Sequence, residues 1–249
     1  MSSKKELLTI KLKGWDTKFF HRKMGALDFS FNPANPMADS ALLRELLKAA
    51  RAAGYRHIIC RVKEGDRGES ALLYKCGFKL VDTCVELVKE LDSPCDRKGA
   101  AQFQIRLCNK KDLPTLKEMA SGAFTKSYFY RDRIFKRSEA NEMHSTWIEN
   151  LCKRGAARVF VAQINSQAAG FVSCELKDGA GRIPLIAVGK NYRGRGIARE
   201  LLAYALEWFC KYTTEVHVRT QAVNDAALSL YRKAGFRRLH KDRTYSTAL

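Results

Sequence analysis

Arg193-Gly194-Arg195-Gly196-Ile197-Ala198 stands between an apolar run, Ile183 to Val188, and a helical pattern that begins with Ala198, Leu201, Leu202 and Ala205. The order is strand, glycine turn, helix N-terminus. It presents a row of unpaired backbone N–H groups together with the positive end of a helix dipole, which makes a binding place for phosphate. Two familiar phosphate motifs fail here: a P-loop ends in Gly-Lys-Ser/Thr, and a dinucleotide fingerprint has three spaced glycines with an acidic residue about 20 positions on. The remaining alternative is a tight turn that binds nothing.

Downstream, Glu215 to Thr220 alternates Val216 and Val218 with His217 and Arg219, as a strand does. Asn224 then holds an N-cap position. From Asp225 the apolar residues Ala227, Leu230, Tyr231 and Ala234 share one helix face, and Gly235 ends it.

The spacing Arg/Gln, two residues, Gly, one residue, Gly/Ala is filled by Arg193, Gly196 and Ala198. With Asn224 and Tyr231 on the next helix, this resembles the pyrophosphate loop and following helix of the GCN5-related N-acetyltransferases. The resemblance implies acetyl-CoA as co-substrate, no metal, and cofactor contacts from Val188, Arg193, Gly194, Arg195, Gly196, Ile197, Ala198 and Asn224. It implies direct transfer, in which an amine attacks the thioester, the Val188 N–H supports the oxyanion and Tyr231 protonates the departing thiolate. Reference pKa values near 10 for Tyr and 8.5 for a thiol make that proton transfer feasible; the alternative for Tyr231 is a core aromatic. His217 and Glu175 are further candidates for a base, each with a packed or solvated role as the alternative.

The composition agrees with an enzyme of this kind. A chain of 249 residues, 46% hydrophobic, forms one large domain or two modest ones. No apolar run reaches membrane-span length and the N-terminus lacks a signal-peptide core, so the expectation is a soluble cytoplasmic protein without a membrane partner. Eight cysteines, with no CxxC pair and no zinc-finger spacing, read as thiols in a reducing compartment. The formal charge of +19 is uneven: residues 1–92 carry 17 Lys/Arg against 12 Asp/Glu, leaving 28 against 14 for residues 93–249. Such a field favours anionic ligands, coenzyme A and a phosphorylated acceptor such as a nucleotide-sugar, over cationic ones. Nucleic-acid binding is the rival reading, disfavoured because the basic residues are spread along the chain. A homodimer is compatible with all of this.

Ser127 to Arg137 interleaves aromatic and basic side chains, a pattern that stacks a nucleobase and pairs phosphates, or else a loop whose rings pack inward. The polar stretch Asp92 to Gly99 divides the chain into residues 1–92, a linker at 93–99, and residues 100–249. After it come a strand at Phe103–Leu107, a helix from an Asp112 N-cap, a second helix through Met143, Trp147, Ile148 and Leu151, strands at Ala157–Gln163 and Ala169–Lys177, and the loop-bearing strand. That is the element order of one acetyltransferase domain. The implied fold is α/β (α+β): a mixed, mostly antiparallel sheet flanked by helices, with a smaller N-terminal half-domain.

Residues 1–92 echo the second half of that domain. Arg44-Glu45-Leu46-Leu47 parallels Arg199-Glu200-Leu201-Leu202, and Leu72 to Phe78 parallels Leu230 to Phe236. Yet Pro33 to Asp39 offers no glycine cradle. Tyr74 precedes Gly77 by three residues where Tyr231 precedes Gly235 by four, a rotation of about 100°. The expectation is a half-domain that holds no cofactor. The short N-terminal domain opening Trp15-Asp16-Thr17-Lys18-Phe19-Phe20 and the stretch from Asp112 to Asn150 are similar to the dTDP-fucosamine N-acetyltransferases. That resemblance implies acetylation of a dTDP-4-amino-4,6-dideoxyhexose for surface polysaccharide, with protein or peptide acetylation and noncatalytic binding as alternatives.

Overall fold

A hydrophobic stripe and a short strand recur through this chain as helix-strand pairs, and the fold follows from where each stripe is buried. The structure, a computed structural model, describes residues 8–29, 36–91, 103–153 and 157–249. The linker expected at 93–99, residues 33–35 and Cys95 lie outside the described residues. Two compact units form: Met1–Cys84 with Tyr128–Lys136 and His240–Leu249, and Val85–Ser127 with Arg137–Leu239.

In the first unit β1 (Thr9–Leu12) pairs antiparallel with β2 (Lys23–Asp28), which runs parallel to β3 (Tyr55–Lys63). The last strand, β11 (Arg237–Ala248), pairs antiparallel with β3. Helices α1 (Gly14–Phe20), α2 (Pro36–Ala52) and α3 (Arg67–Lys75) complete it, with β4 (Lys79–Glu90) leading out. On α2, Leu43, Leu47 and Ala50 recur at helical spacing and are buried. Leu43 and Leu47 join Ile58, Leu73, Phe78 and Tyr245 among the residues of one core.

The second unit has a sheet covered on both faces. Strands β5 (Gln104–Leu107), β6 (Ala157–Ile164), β7 (Gln167–Lys177) and β8 (Ala180–Ile183) pair antiparallel in sequence order, and β10 (Glu215–Gln221) lies parallel to β8. Asn165 and Ser166, both at positive φ (49° and 62°), turn β6 into β7. Alternation along β6 sends Val159 and Val161 to a core under α4 (Leu113–Ala123) and α6 (Arg137–Lys153). Phe160 and Ala162 go to the other, under α7 (Ile197–Phe209) and α8 (Asp225–Lys233).

The echo between the halves extends to individual hydrogen bonds. Phe78 N–H donates to the Leu73 carbonyl at 3.0 Å, and Phe236 N–H to the Tyr231 carbonyl at 3.0 Å. Gly77 and Gly235 end α3 and α8 at positive φ, 87° and 84°. In this frame the counterpart of Tyr231 is Leu73, fully buried; Tyr74 is 53% exposed.

Ser127 to Arg137 forms the short helix α5 (Tyr128–Arg131) and a turn, most of which belongs to the first unit. Tyr128, Phe129 and Phe135 are buried, with Phe20 stacked 5.7 Å from Phe129. Buried His57 Nε2 donates to the Asp132 carboxylate at 2.9 Å. The rings face inward, which answers the choice left open by the sequence: they serve the core. Six cysteines are free thiols among the described residues. Cys210 is disulfide-bonded, which corrects the expectation of thiols throughout. No helix among the described residues is long and apolar enough to cross a membrane.

Candidate active site

The site begins where two parallel neighbours separate. β8 pairs with β10 through Gly181–Ile183 against Val216–Val218. Pro184 follows, with no N–H to continue the ladder. The chain resumes as β9 (Ile186–Val188), paired to β7 through Gly170, Phe171 and Val172. The single strand expected from Ile183 to Val188 is therefore two, broken at the proline. β10 runs on to Gln221, and a wedge opens between it and β9.

Gly189 N–H donates to the Ala169 carbonyl at 2.9 Å. By the alternation of an antiparallel ladder, the N–H and C=O of the preceding Val188 turn away from β7, into the wedge. The carbonyl accepts from Arg193 Nε at 3.3 Å. The N–H is left on the same open edge.

The glycine loop follows. A 3-10 turn at Lys190–Tyr192 leads to extended Arg193 (φ −66°, ψ 158°), then to Gly194 at φ 79° and Gly196 at φ 82°. A Cβ on Gly194 would meet nothing within 4 Å, so glycine is required there by the left-handed backbone and not by crowding. Gly196 is the N-cap of α7 and no side chain folds back on that end. The first N–H groups of α7 are consequently free to hold an anion. Arg195 lies with its guanidinium 5.8 Å from the Tyr192 ring.

A cavity of about 750 Å³ fills the wedge. Val188, Arg193, Gly194, Gly196, Ile197, Ala198 and Asn224 line it; Arg195 and Tyr231 do not. Its charged residues are Arg193, Arg199 and Lys233, with no carboxylate among the lining side chains. Leu202, Leu206, Ile186, Ala227 and Leu230 give the rest an apolar surface, so the cavity suits a ligand with a phosphate end and a lipophilic arm. Asn224 starts α8 without a side-chain cap bond, and its amide donates to Thr220 Oγ1 at 3.1 Å. Its amide oxygen is an acceptor that can serve a ligand N–H.

Tyr231 follows cavity-lining Leu230 and points to the core, 4% exposed, its ring 5.5 Å from Phe236. Burial pushes its phenol well up, so it stays protonated across the neutral range. His217 is held at both ring nitrogens, by Glu86 at 3.3 Å and Glu215 at 3.2 Å. Glu175 stands opposite Arg182 in the ladder. Neither lines the cavity. Sequence reasoning assigned none of the lining residues Leu202, Leu206 and Lys233 to a site, although the apolar pattern of α7 already contained Leu202. It also missed a second, more polar cavity of about 1050 Å³ that shares Val188, Tyr192 and Arg193 and is bounded by Arg106, Lys111 and Gln167.

A proline-parted pair of strands, closed by a glycine-lined helix N-terminus over an apolar trough, offers a place for coenzyme A, the co-substrate of an acyltransferase. Residues 122–236 match the family described as "Acetyltransferase (GNAT) family", a family that uses acetyl-CoA. It is similar to the dTDP-fucosamine acetyltransferase of Escherichia coli O6:H1, 29% identical over 76% of this chain and 81% of that protein. It is similar too to the spore coat polysaccharide biosynthesis protein SpsD of Bacillus subtilis, 32% identical over 50% of this chain and 44% of that protein. A GCN5-related N-acetyltransferase structure from Sphaerobacter thermophilus shares the fold, with a TM-score of 0.63 at 18% identity over 90% of this chain and 73% of that one.

Proposed function

We propose that this chain transfers the acetyl group of acetyl-CoA to the amino group of a nucleotide-linked amino sugar, of the dTDP-4-amino-4,6-dideoxyhexose type, in the synthesis of a surface polysaccharide. The observation that carries this reading is the likeness to dTDP-fucosamine acetyltransferase, which extends over 76% of the chain and so beyond the matched family domain. The excess of basic residues in the catalytic part supports an anionic acceptor.

Acetyl-CoA supplies an activated acetyl group on a thiolate that can leave. The backbone N–H groups from Gly194 to Ala198 hold its pyrophosphate, and Arg193, Arg199 and Lys233 balance the phosphate charge. Leu202, Leu206 and Leu230 exclude water along the arm. Asn224 accepts an amide N–H and sets the depth of insertion. The Val188 N–H, on the open edge of β9, donates to the oxygen on which negative charge grows as the sugar amine attacks. The assignment of Tyr231 as the donor of the proton that the leaving sulfur needs rests on the family resemblance, since the cavity lining does not include it. Every role here is carried by this chain's own backbone or side chains, and none requires an acyl-enzyme.

On this reading residues 1–92 are a degenerate half-domain that kept the packing of α7, β10 and α8 in α2, β3 and α3, and residues 100–249 are the catalytic domain. The substitution of Leu73 for the phenol position supports it. The test is thiol release from acetyl-CoA by purified protein with dTDP- and UDP-amino sugars, beside a mixed peptide pool. Turnover with a nucleotide-linked amino sugar is expected; activity on peptides alone overturns the acceptor class.

A further inference from the structure

We propose that Cys108 and Cys152 are a redox pair that closes to a disulfide. Their Sγ atoms lie 3.8 Å apart, and both side chains are half-buried free thiols, reachable by a small reagent. A disulfide needs about 2.05 Å between sulfurs, an approach that side-chain rotation supplies when the backbones are already in place.

Packing holds those backbones in place. Cys108 N–H donates to the Val159 carbonyl at 2.7 Å, anchoring the end of β5 to β6. Immediately after it, the Asn109–Asp112 capping box starts the turn before α4, with Arg106 clamped on Asp112 at 2.7 and 2.8 Å. Cys152 lies in the last turn of α6. Glu149, one turn earlier, accepts from Lys117 of α4 at 2.7 Å and from Lys153 at 2.6 Å. Both sulfurs pack against the same apolar core. The two thiols are thus brought together by helix and sheet packing across 44 residues of sequence. Disulfide chemistry is already part of this fold at Cys210.

The oxidant is a small disulfide such as oxidised glutathione. Cys152 is the first nucleophile: a hydrogen bond from Cys108 holds its thiol below the ordinary thiol range, and the thiolate is the attacking form. Cys152 sulfur bonds to one glutathione sulfur as the glutathione S–S bond breaks, and the first glutathione leaves as thiolate. The Cys108 thiol, which its contact with Cys152 and burial keep protonated, then attacks the Cys152 sulfur and expels the second glutathione, its proton passing to that departing thiolate. Two protein thiols are oxidised, one small disulfide is reduced to two thiols, and the two protons released go to those thiolates.

The experiment is a non-reducing tryptic digest of the purified protein after equilibration with oxidised glutathione. A peptide joining Leu107–Lys110 to Ser138–Lys153 is expected, lighter than the sum of its parts by two hydrogens. The closed loop should raise Tm by about 5–10 °C over the C152S variant treated in the same way; that comparison leaves Cys210 unchanged on both sides. The C108S variant should stop at a glutathione adduct on Cys152. Wild-type protein that yields only separate alkylated peptides, or a lasting glutathione adduct on Cys152, overturns the proposal.

Discussion

Replacing Tyr231 by Phe removes one oxygen and leaves the ring, so it separates chemistry from packing. The ring is 4% exposed and rests against Phe236; the equivalent position in the first unit is the fully buried Leu73. An apolar residue is therefore tolerated in this frame. The hydroxyl has no hydrogen-bond partner among the described residues, so its removal leaves no orphaned group behind and stability should change by less than about 1 kcal/mol. That corresponds to a Tm shift of roughly 2–4 °C or less. Acetyl-CoA affinity should stay the same, since the phenol does not line the cavity. Turnover should not. A positioned acid contributes about 10²- to 10⁴-fold. Burial raises this phenol's pKa and weakens it as a donor, which favours the low end: about 10²-fold in kcat, or about 2.7 kcal/mol on the barrier. Steady-state thiol release, with acetyl-CoA binding by calorimetry alongside, reads both quantities. A kcat within threefold of wild type, in a variant that folds and binds normally, would refute the assignment and leave Tyr231 as a core aromatic.

Gly196→Val forces a β-branched residue to φ 82° at the N-cap of α7, at a cost of about 1–2 kcal/mol in strain, and screens the N–H groups behind it. Acetyl-CoA affinity should fall by at least about 30-fold, checked by calorimetry on protein with an intact circular dichroism spectrum. Asn224→Ala should raise KM for acetyl-CoA about tenfold, the worth of one hydrogen bond near 1.4 kcal/mol, with little change in kcat. Asp112→Ala breaks two bonds to Arg106 and one from the Asn109 N–H, and should cost about 2–3 kcal/mol of stability in urea unfolding. The Arg106 guanidinium holds the Asp112 carboxyl below its usual value. This stabilisation is present above the unfolded pKa near 3.9 and is lost as pH falls through the lower native value. The buried phenols of Tyr231 and Tyr128 work in the opposite direction, because burial raises both. Their protons stay on in the native state while the unfolded chain releases them near pH 10, so stability should decline as pH rises above that point. Tyr231→Phe should flatten the decline in an alkaline denaturation series.

Local backbone chemistry was legible in the sequence, and tertiary partnership was not. Gly194, Gly196 and Gly235 announce left-handed turns because glycine is the residue that takes positive φ without strain. Asn224 marks a helix start for a similar local reason. Tyr231 as a member of an apolar face also followed from spacing, though spacing says nothing of how deeply it is buried. Pro184 was visible and yet its effect was hidden inside an apolar run, since the consequence depends on which strand lies alongside. The burial of Tyr128, Phe129 and Phe135 in the first unit depends on Phe20 and His57, more than 70 residues away, and no period in the sequence encodes such a distance. The carboxylates that occupy His217 come from Glu215, two positions off, and from Glu86, 131 positions off; the nearer one was readable.

Pro184 carries a kinetic consequence. Because the separation of β9 from β10 is set by a residue that lacks the donor for continued pairing, the trough exists before any ligand arrives. Association then needs no opening step. The on-rate should follow encounter with the positive rim, rising as ionic strength falls. Selectivity among acyl donors should accordingly appear in how long each one stays, not in how fast it enters.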